Sequence, residues 1–396
     1  MKGLCIQLSQ PRVAEFFAGI GLVGHALELE GCEVVFANDI DPVKHRLFAA
    51  NFDDSVFTLG DIRDIHGHHV PDVDIATASF PCTDLSLAGN RAGLTGDHSG
   101  MFWQFTRILD EMGHRRPQVV MLENVVGFFS SNGGKDLRAA IEELNALGYR
   151  CDLVLADARW FVPQSRPRVF IVGSAVPLPA NVSDTAPKAR PSWFAEFALQ
   201  NPDLMLQEFP AHLPLTSDVH LSSVVDRIPE DDAVWWDSQR TEAFVDSLSQ
   251  LQRGRVEELR RTPEVNWRTA YRRTRNGVPV WEVRRDTIAG CLRTARGGSS
   301  KQAVVQVGAG SLRVRWMTAR EYARLQGVPD YRLDSVTESQ ALFGFGDAVC
   351  VPVVQWIGRE YLLPALAAAA RERLVINERV SVCGGCAALQ ARPKVF

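Results

Sequence analysis

The sequence predicts an α/β protein in which an open domain, built on a parallel sheet, precedes a smaller second domain. Three observations support this prediction. Up to residue 174, short apolar runs alternate with amphipathic segments, a pattern typical of strands joined by crossover helices. A glycine-rich turn follows the first apolar run. From residue 177 the sequence becomes rich in proline and polar residues, which indicates a domain boundary.

Six apolar runs are the predicted strands of the first domain. Each is short and is followed by a turn or an amphipathic segment. The runs cover residues 13–17, 34–38, 73–79, 119–123, 151–157 and 168–173. Residues 137–147 have apolar side chains at helical spacing, and Gly148 ends that predicted helix. A later helix is predicted to run from a Thr318 cap to Gly327.

The length and composition predict a soluble protein with a substantial core. The chain has 396 residues, 46% of them hydrophobic, and we identify neither a membrane span nor a signal segment. Eight scattered cysteines are too sparse for a disulfide framework. We therefore expect a cytoplasmic monomer without a membrane partner, in which any special cysteine is chemical rather than structural.

The net charge says little about the partner, because the charges are unevenly distributed. The formal net charge is −4, but residues 253–315 contain 15 Lys and Arg against 5 Asp and Glu, a balance of +10. Residues 187–252 contain 4 against 11, a balance of −7. The basic segment is either an ordinary solvated face or a surface that contacts nucleic-acid phosphates.

The glycine-rich turn predicts a nucleotide-binding loop. Residues 16–24 (FFAGIGLVG) satisfy the spacing G-x-G-x-x-G between a predicted strand and a predicted helix. Asp39 follows Gly19 by 20 residues, at the end of the second strand, where an acid can bind ribose hydroxyls. Asp61 precedes the next helix. Taken alone, the turn is compatible with NAD, FAD or S-adenosylmethionine, or with no ligand.

Three further segments end or begin predicted strands and contain reactive side chains. Cys82 follows the run 73–79, and Glu123 ends the next strand. Arg166 and Arg168 lie just before and at the start of another strand. Because ligands of open α/β sheets bind at the carboxyl ends of the strands, we expect these groups to meet there. A thiol, a carboxylate and two arginines favour an acid-assisted nucleophilic site over a hydride-transfer site.

At these segments the sequence resembles the DNA cytosine-5 methyltransferase family, and the motifs follow the family's order along the chain. Residues 16–24 resemble the cofactor motif, Pro81-Cys82 the catalytic dipeptide, 123–125 the acid motif, 164–168 the arginine motif, 315–327 the late helix motif and 345–349 the final motif.

The resemblance implies a Rossmann-like S-adenosylmethionine-dependent methyltransferase domain with a smaller target-recognition domain. It divides the chain into a catalytic and cofactor-binding domain (1–174), a target-recognition domain (175–312), C-terminal motifs that return to the catalytic domain (313–370) and a tail (371–396). The implied activity is methyl transfer from S-adenosylmethionine to carbon 5 of a cytosine flipped out of double-stranded DNA. A restriction endonuclease is the implied functional partner.

The resemblance also assigns residues to roles. Cys82 would attack carbon 6 of cytosine, and Glu123 would protonate or hydrogen-bond ring nitrogen 3. Arg168 would hold the carbonyl oxygen, and Arg166 would lie near the thiolate and the DNA backbone. The implied cofactor residues are Phe16, Phe17, Ala18, Gly19, Gly21, Leu22, Asp39, Ile40, Asp61, Ile62, Pro81, Met101, Asp347 and Val349. The implied DNA contacts are Arg284, Arg285, Thr287, Arg293, Arg296 and Lys301.

Departures from the family pattern and rival interpretations are few. Asp347 stands where many members have asparagine, and the run after Cys82 is also atypical. The spacing of Cys383 and Cys386 suits a metal, but no second pair lies near them in sequence, so no metal site is expected. The remaining alternatives are a transfer-RNA cytosine-5 methyltransferase and a non-catalytic DNA-binding relative.

Overall fold

A computed structural model of the chain describes residues 10–81, 100–177, 190, 193–209, 212–214, 218–275, 277–293 and 301–372. Its larger part is a seven-stranded sheet in the order β3-β2-β1-β4-β5-β7-β6. The strands are β1 (Arg12–Phe16), β2 (Glu33–Asp39), β3 (Phe57–Leu59), β4 (Ile75–Ala78), β5 (Val119–Val125), β6 (Arg150–Asp157) and β7 (Pro167–Ser174). The six predicted runs are confirmed as strands, and β3 is an additional edge strand.

Among the described residues, four α-helices connect the strands of this sheet. They are α1 (Leu22–Glu28), α2 (Pro42–Asn51), α3 (Met101–Met112) and α4 (Lys135–Ala146). Apolar side chains of α3 and α4 pack with the β4 and β5 strands in one buried cluster, which includes Phe105, Leu109 and Ile141. The opposite face of the sheet is covered by α1 and by helices from the end of the chain.

The sheet is parallel, as predicted, except for one strand. β7 pairs antiparallel with β5 on one side and with β6 on the other. In this register Arg168 lies opposite Val125, at the carboxyl end of β5. A parallel strand would have its first residues at the other edge of the sheet. The reversed direction of β7 therefore brings Arg168 to the edge where β5 ends.

A second, antiparallel sheet of four strands follows in the order β11-β10-β8-β9. Its strands are β8 (Asn266–Arg275), β9 (Val278–Val283), β10 (Ala303–Gly308) and β11 (Ser311–Trp316). Before it come α5 (Phe194–Gln200), α6 (Ser238–Ser247) and α7 (Gln250–Arg260). Trp236, Phe244 and Val256 pack against one face of this sheet and form a separate small core.

The end of the described chain packs back onto the first sheet. Its helices are α8 (Ala319–Leu325), α9 (Glu338–Asp347) and α10 (Val351–Ile357). The predicted Thr318 cap is confirmed, because its side chain and that of Glu321 form a reciprocal capping box at the start of α8. The Tyr331 hydroxyl donates to the carbonyls of Ile20 and Leu47, at 2.7 and 3.1 Å.

One helical stretch, Glu338–Glu372, is long and apolar enough to cross a membrane by length and composition alone. However, 72% of its most apolar 18-residue segment is buried inside the protein. Its residues Val354, Ile357 and Leu362 belong to the core cluster that also contains α1. The stretch therefore has the packing of a core helix.

Candidate active site and cofactor pocket

The glycine loop between β1 and α1 has a backbone that only small residues fit. Gly19 and Gly21 have φ angles of +58° and +79°, in the left-handed region that favours glycine. A Cβ atom on Gly21 would lie 2.7 Å from ring atoms of Phe48 and Phe52, closer than such contacts allow. The loop is therefore a tight strand-to-helix turn in which Gly21 is required by close packing against Phe48 and Phe52.

Asp39 holds this loop against the neighbouring strand ends. The backbone N–H of Gly19 donates to Asp39 Oδ2 at 2.8 Å, so the acid that ends β2 is fixed against the loop. The N–H of Gly60 donates to the Asp39 carbonyl at 3.0 Å, which brings the segment of Asp61 beside it. Ile40, the residue after Asp39, is an exposed apolar side chain, with 64% of its surface accessible.

The other implied cofactor residues lie around the same edge. The N–H of Ser79 donates to the Phe16 carbonyl at 3.4 Å, which holds the segment leading to Pro81 beside the glycine loop. Met101 is the first residue of α3. Phe80 precedes Pro81 and Phe102 follows Met101, and the centroids of these two phenylalanine rings lie 5.7 Å apart. Phe17, Ala18, Leu22, Ile62 and Val349 are buried or half-buried.

Lys44 is a residue of this region that the sequence analysis missed. Its Nζ lies 2.8 Å from Asp347 Oδ2 and its Cδ lies 3.9 Å from a Cβ built on Gly19. Burial lowers the pKa of Lys44, but the carboxylates of Asp347, Asp39 and Asp41 outweigh it, and the net pKa is raised. The sequence contained a partial signal, because Asp347 stands where the family pattern often has a neutral asparagine, and a carboxylate there favours a nearby cation.

Glu123 and Arg168 form an ion pair at the carboxyl end of β5. Glu123 Oε1 lies 2.9 Å from Arg168 Nε, and the two side chains are 9% and 15% exposed. Next to Glu123, the Asn124 side chain donates to the Phe80 carbonyl at 3.2 Å. This bond ties the end of β5 to the residue before Pro81. The nucleophile that the sequence predicts, Cys82, lies outside the described residues.

Arg166 is buried and bridges three parts of the chain. Its Nη1 donates to the Leu292 carbonyl at 2.8 Å, and its Nη2 donates to the carbonyls of Gly346, at 3.2 Å, and Ala348. The side chain therefore joins the start of β7 to the final motif and to the segment before residue 294. Burial, and then the charge of Arg168, lower the pKa of Arg166.

Cys291 is a second thiol at this edge, and the sequence analysis did not single it out. Its Sγ lies 3.4 Å from Arg166 Nη1 and 3.8 Å from Arg168 Nη2. Burial raises the pKa of Cys291, but the charges of Arg166 and Arg168 outweigh it and the net pKa is lowered. The segment reaches this edge because Ala289 and Pro163 share a backbone hydrogen bond of 2.7 Å.

The predicted DNA contacts lie between β9 and β10 of the second sheet, some just after β9 and one just before β10. Arg284 is paired with Asp286 at 2.6 Å, whereas Arg285 and Arg293 are exposed. Thr287 Oγ1 lies 2.9 Å from a ring nitrogen of His220. Lys301 Nζ lies over the ring of Trp316, 5.6 Å from its centroid. Arg296 lies outside the described residues.

Comparisons with known proteins agree along most of the chain. The C-5 cytosine-specific DNA methylase family matches residues 11–362. The type II methyltransferase M.DsaV of Dactylococcopsis salina is 27% identical over 361 residues, which are 90% of this chain and 87% of that protein. M.NgoBI of Neisseria gonorrhoeae is 27% identical over 345 residues, which are 87% of this chain and 90% of that protein.

Solved structures share the fold. The Entamoeba histolytica methyltransferase EhMeth superposes with a TM-score of 0.62 at 14% identity, covering 91% of this chain and 99% of that one. The Dnmt2 methyltransferase of S. pombe superposes with a TM-score of 0.58 at 17% identity, covering 90% and 99%.

The fold, together with the family that matches the chain, defines a Rossmann-like methyltransferase that uses S-adenosylmethionine. The chain belongs to the C-5 cytosine-specific DNA methylase family. It is therefore a DNA cytosine-5 methyltransferase, which transfers a methyl group from S-adenosylmethionine to carbon 5 of cytosine in DNA.

Proposed function

We propose that this enzyme methylates a flipped cytosine in one short duplex sequence, with Cys82 as nucleophile and with Glu123 and Arg168 as the groups that bind the base. The observation that carries the proposal is the ion pair of Glu123 and Arg168, 2.9 Å apart at the edge where β5 ends. Asn124 joins this edge to Phe80, and Cys82 follows Phe80 by only two residues in the sequence.

The chemistry that this arrangement suits begins with attack of the Cys82 thiolate on carbon 6 of cytosine. A sulfur–carbon bond forms, and the electron pair of the carbon 5–carbon 6 double bond moves into the ring toward nitrogen 3 and the carbonyl. A proton from Glu123 at nitrogen 3, and the Arg168 guanidinium at the carbonyl oxygen, stabilise that charge. Once carbon 5 has taken up the methyl group that the cofactor would supply, loss of the proton on carbon 5 and release of the thiolate restore the double bond. The proton on nitrogen 3 returns to Glu123.

The residues around the glycine loop fit S-adenosylmethionine, which when bound supplies an electrophilic methyl group. Gly19 and Gly21 have the left-handed backbone of a tight turn, which a closely approaching ligand would need. Asp39 would bind the ribose hydroxyls, Asp61 the adenine amino group, and exposed Ile40 the adenine face. The remaining members of this set are Phe16, Phe17, Ala18, Leu22, Ile62, Pro81, Met101, Asp347 and Val349.

Residues 175–312 would form the target-recognition domain, between a catalytic domain (1–174) and returning C-terminal motifs (313–370), with residues 371–396 as a tail. Arg285 and Arg293 support this division. Both are exposed, so they are free to contact DNA, and both lie close in sequence to Cys291, which is next to Arg168 at the catalytic edge. The relatives are type II methyltransferases, and so we extend the proposal to a monomer that works beside a restriction endonuclease.

Covalent trapping tests the residue roles. In duplex DNA that carries 5-fluorocytosine, carbon 5 cannot lose its substituent as a cation, and the adduct therefore persists on a denaturing gel. We expect an adduct from the native enzyme and none from Cys82→Ala, which should still bind S-adenosylmethionine. Glu123→Gln should form it about 10²- to 10⁴-fold more slowly.

Cys291→Ala is the matched control, because it removes the other thiol at the arginines. It should keep the trapped adduct. An adduct formed by Cys82→Ala but lost in Cys291→Ala would transfer the nucleophile role to Cys291 and contradict the proposal.

A further inference from the structure

A cavity of about 300 Å³ lies between α7 and the second sheet, and the mechanism above does not use it. Its polar lining includes four arginines, Arg255, Arg268, Arg284 and Arg285, and its apolar walls include Val256 and Leu259. Such a volume is at the lower end of the range of small-molecule sites. The combination of apolar walls and several guanidinium groups makes it a concave cationic site.

The guanidinium of Arg268 is the unusual member of this lining. The side chain is 8% exposed, and its Nη1 donates to the Trp267 carbonyl at 2.8 Å. Its Nε has no hydrogen-bond partner within the part of the chain that the structure describes. The carboxylate that acts on it, that of Asp286, is already held by Arg284 through two hydrogen bonds of 2.6 and 2.7 Å.

A buried cation without a close anion is expensive, because burial removes its hydration and nothing in the chain replaces it. Arg255 and Arg285 form no ion pair among the described residues, and the one acidic side chain of the lining is Glu258. With Arg284 neutralised by Asp286, three positive charges therefore face one negative charge. The cavity has a net positive charge that an anion would compensate.

We propose that this cavity binds a phosphate ester of nucleotide size, with the phosphate at Arg255 and Arg268 and the sugar against Val256 and Leu259. Guanidinium groups match phosphate oxygens through paired hydrogen bonds, which a compact ammonium cannot form. The phosphate could belong to the DNA backbone or to a free nucleotide. The two sources share this chemistry and differ in what competes for the site.

The cavity is separate from the catalytic edge. Val256 and Ala270 pack in the small core on the α7 side of the second sheet. Trp267, which precedes Arg268 in β8, belongs to a different core cluster, together with Ala289 and Leu292. The carbonyl of Leu292 accepts from Arg166 at the catalytic edge. The proposal therefore goes beyond methyl transfer, and its failure would leave the roles of Glu123 and Arg168 unchanged.

The test measures binding of thymidine 5′-monophosphate and of thymidine to the full chain by calorimetry. These probes contain neither cytosine nor adenine and so avoid the base and cofactor pockets. We expect the nucleotide to bind at least about 10-fold more tightly than the nucleoside. Arg255→Gln and Arg268→Gln should each weaken nucleotide binding about 10-fold or more. Arg261→Gln, which changes an exposed arginine next to α7 that does not line the cavity, should leave it unchanged.

Duplex DNA distinguishes the two sources. If a backbone phosphate fills the cavity, Arg255→Gln should reduce the slope of log K against log salt by about 1, and DNA should compete with the nucleotide. If a free nucleotide is the ligand, the slope should stay the same and DNA should not compete. An unchanged DNA slope together with nucleotide binding that is absent, or equal in the native chain and both cavity variants, would overturn the proposal. Because Arg268→Gln removes a buried cation, its free energy of unfolding verifies that the variant is folded.

Discussion

A buried ion pair between Arg315 and Glu321 should make the junction of the two sheets sensitive to a single neutral substitution. Both side chains are 0% exposed, and Arg315 Nη1 lies 2.8 Å from Glu321 Oε2. Glu321 also accepts backbone N–H groups of Thr318 and Asp226, at 2.8 and 2.7 Å. The carboxylate therefore joins β11, the start of α8 and the segment before α6.

The change Glu321→Gln keeps the size of the side chain and removes its charge. It leaves Arg315 as a buried cation with only neutral hydrogen-bond partners, among them the carbonyls of Trp316 and Asp226 at 3.1 and 3.3 Å. Removing one partner of a buried pair typically costs about 3 to 5 kcal/mol. We expect a loss in this range, a large part of the roughly 5 to 15 kcal/mol that stabilises a typical domain.

Equilibrium urea unfolding measures this loss, and tryptophan fluorescence is a suitable signal because Arg315 lies over the Trp235 ring, 5.4 Å from its centroid. The matched control is Glu338→Gln. Glu338 is exposed and accepts from the Ala319 N–H at 2.6 Å, a bond that glutamine can also accept. It should lose less than about 1 kcal/mol. If Glu321→Gln also loses less than about 1 kcal/mol, the pair is not a buried, water-free ion pair that stabilises the fold.

Two further predictions concern the glycine loop. Burial raises the pKa of Glu15, whose Oε2 accepts from the Gly24 N–H at 3.0 Å, to about 8. The folded state then keeps a proton that the unfolded state has lost, and the free energy of unfolding should fall between about pH 5 and pH 8 by up to about 1.4 kcal/mol per pH unit. Urea unfolding across that pH range should show a flatter profile for Glu15→Gln, and equal profiles would contradict the assignment. Lys44→Met should weaken S-adenosylmethionine binding about 10-fold, because it removes the cation that lies 2.8 Å from Asp347 beside the loop. Asp347→Asn in the same chain should restore much of the affinity measured by calorimetry, and a double variant as weak as the single one would count against the pair.

The sequence predicted the strands well, because a strand buried on both faces must be a short apolar run. β5 has six buried residues in succession, and its run was identified almost to its bounds. The direction of β7 was not predicted. An apolar run does not indicate the direction of its strand in the sheet. The direction of β7 became known only from its register, in which Arg168 lies opposite Val125.

The site was predicted where a residue type and a strand end coincide, as at Glu123 and Asp39. Residues brought in from distant segments were missed. Cys291 lies more than 120 positions from Arg166, and no local pattern links the two. The cavity at Arg268 was not predicted either. An arginine on a strand is expected to be solvated, and only the structure shows that this one is buried.

The central claim, methyl transfer to carbon 5 of cytosine in DNA, is tested most directly by following labelled methyl groups from S-adenosylmethionine. The acceptors are duplex DNA, unmodified transfer RNA and none, and bisulfite sequencing then locates protected cytosines in the DNA. We predict label in the duplex alone, with protected cytosines in one short sequence context and none with Cys82→Ala. Label in transfer RNA alone, or in no acceptor, would contradict the account.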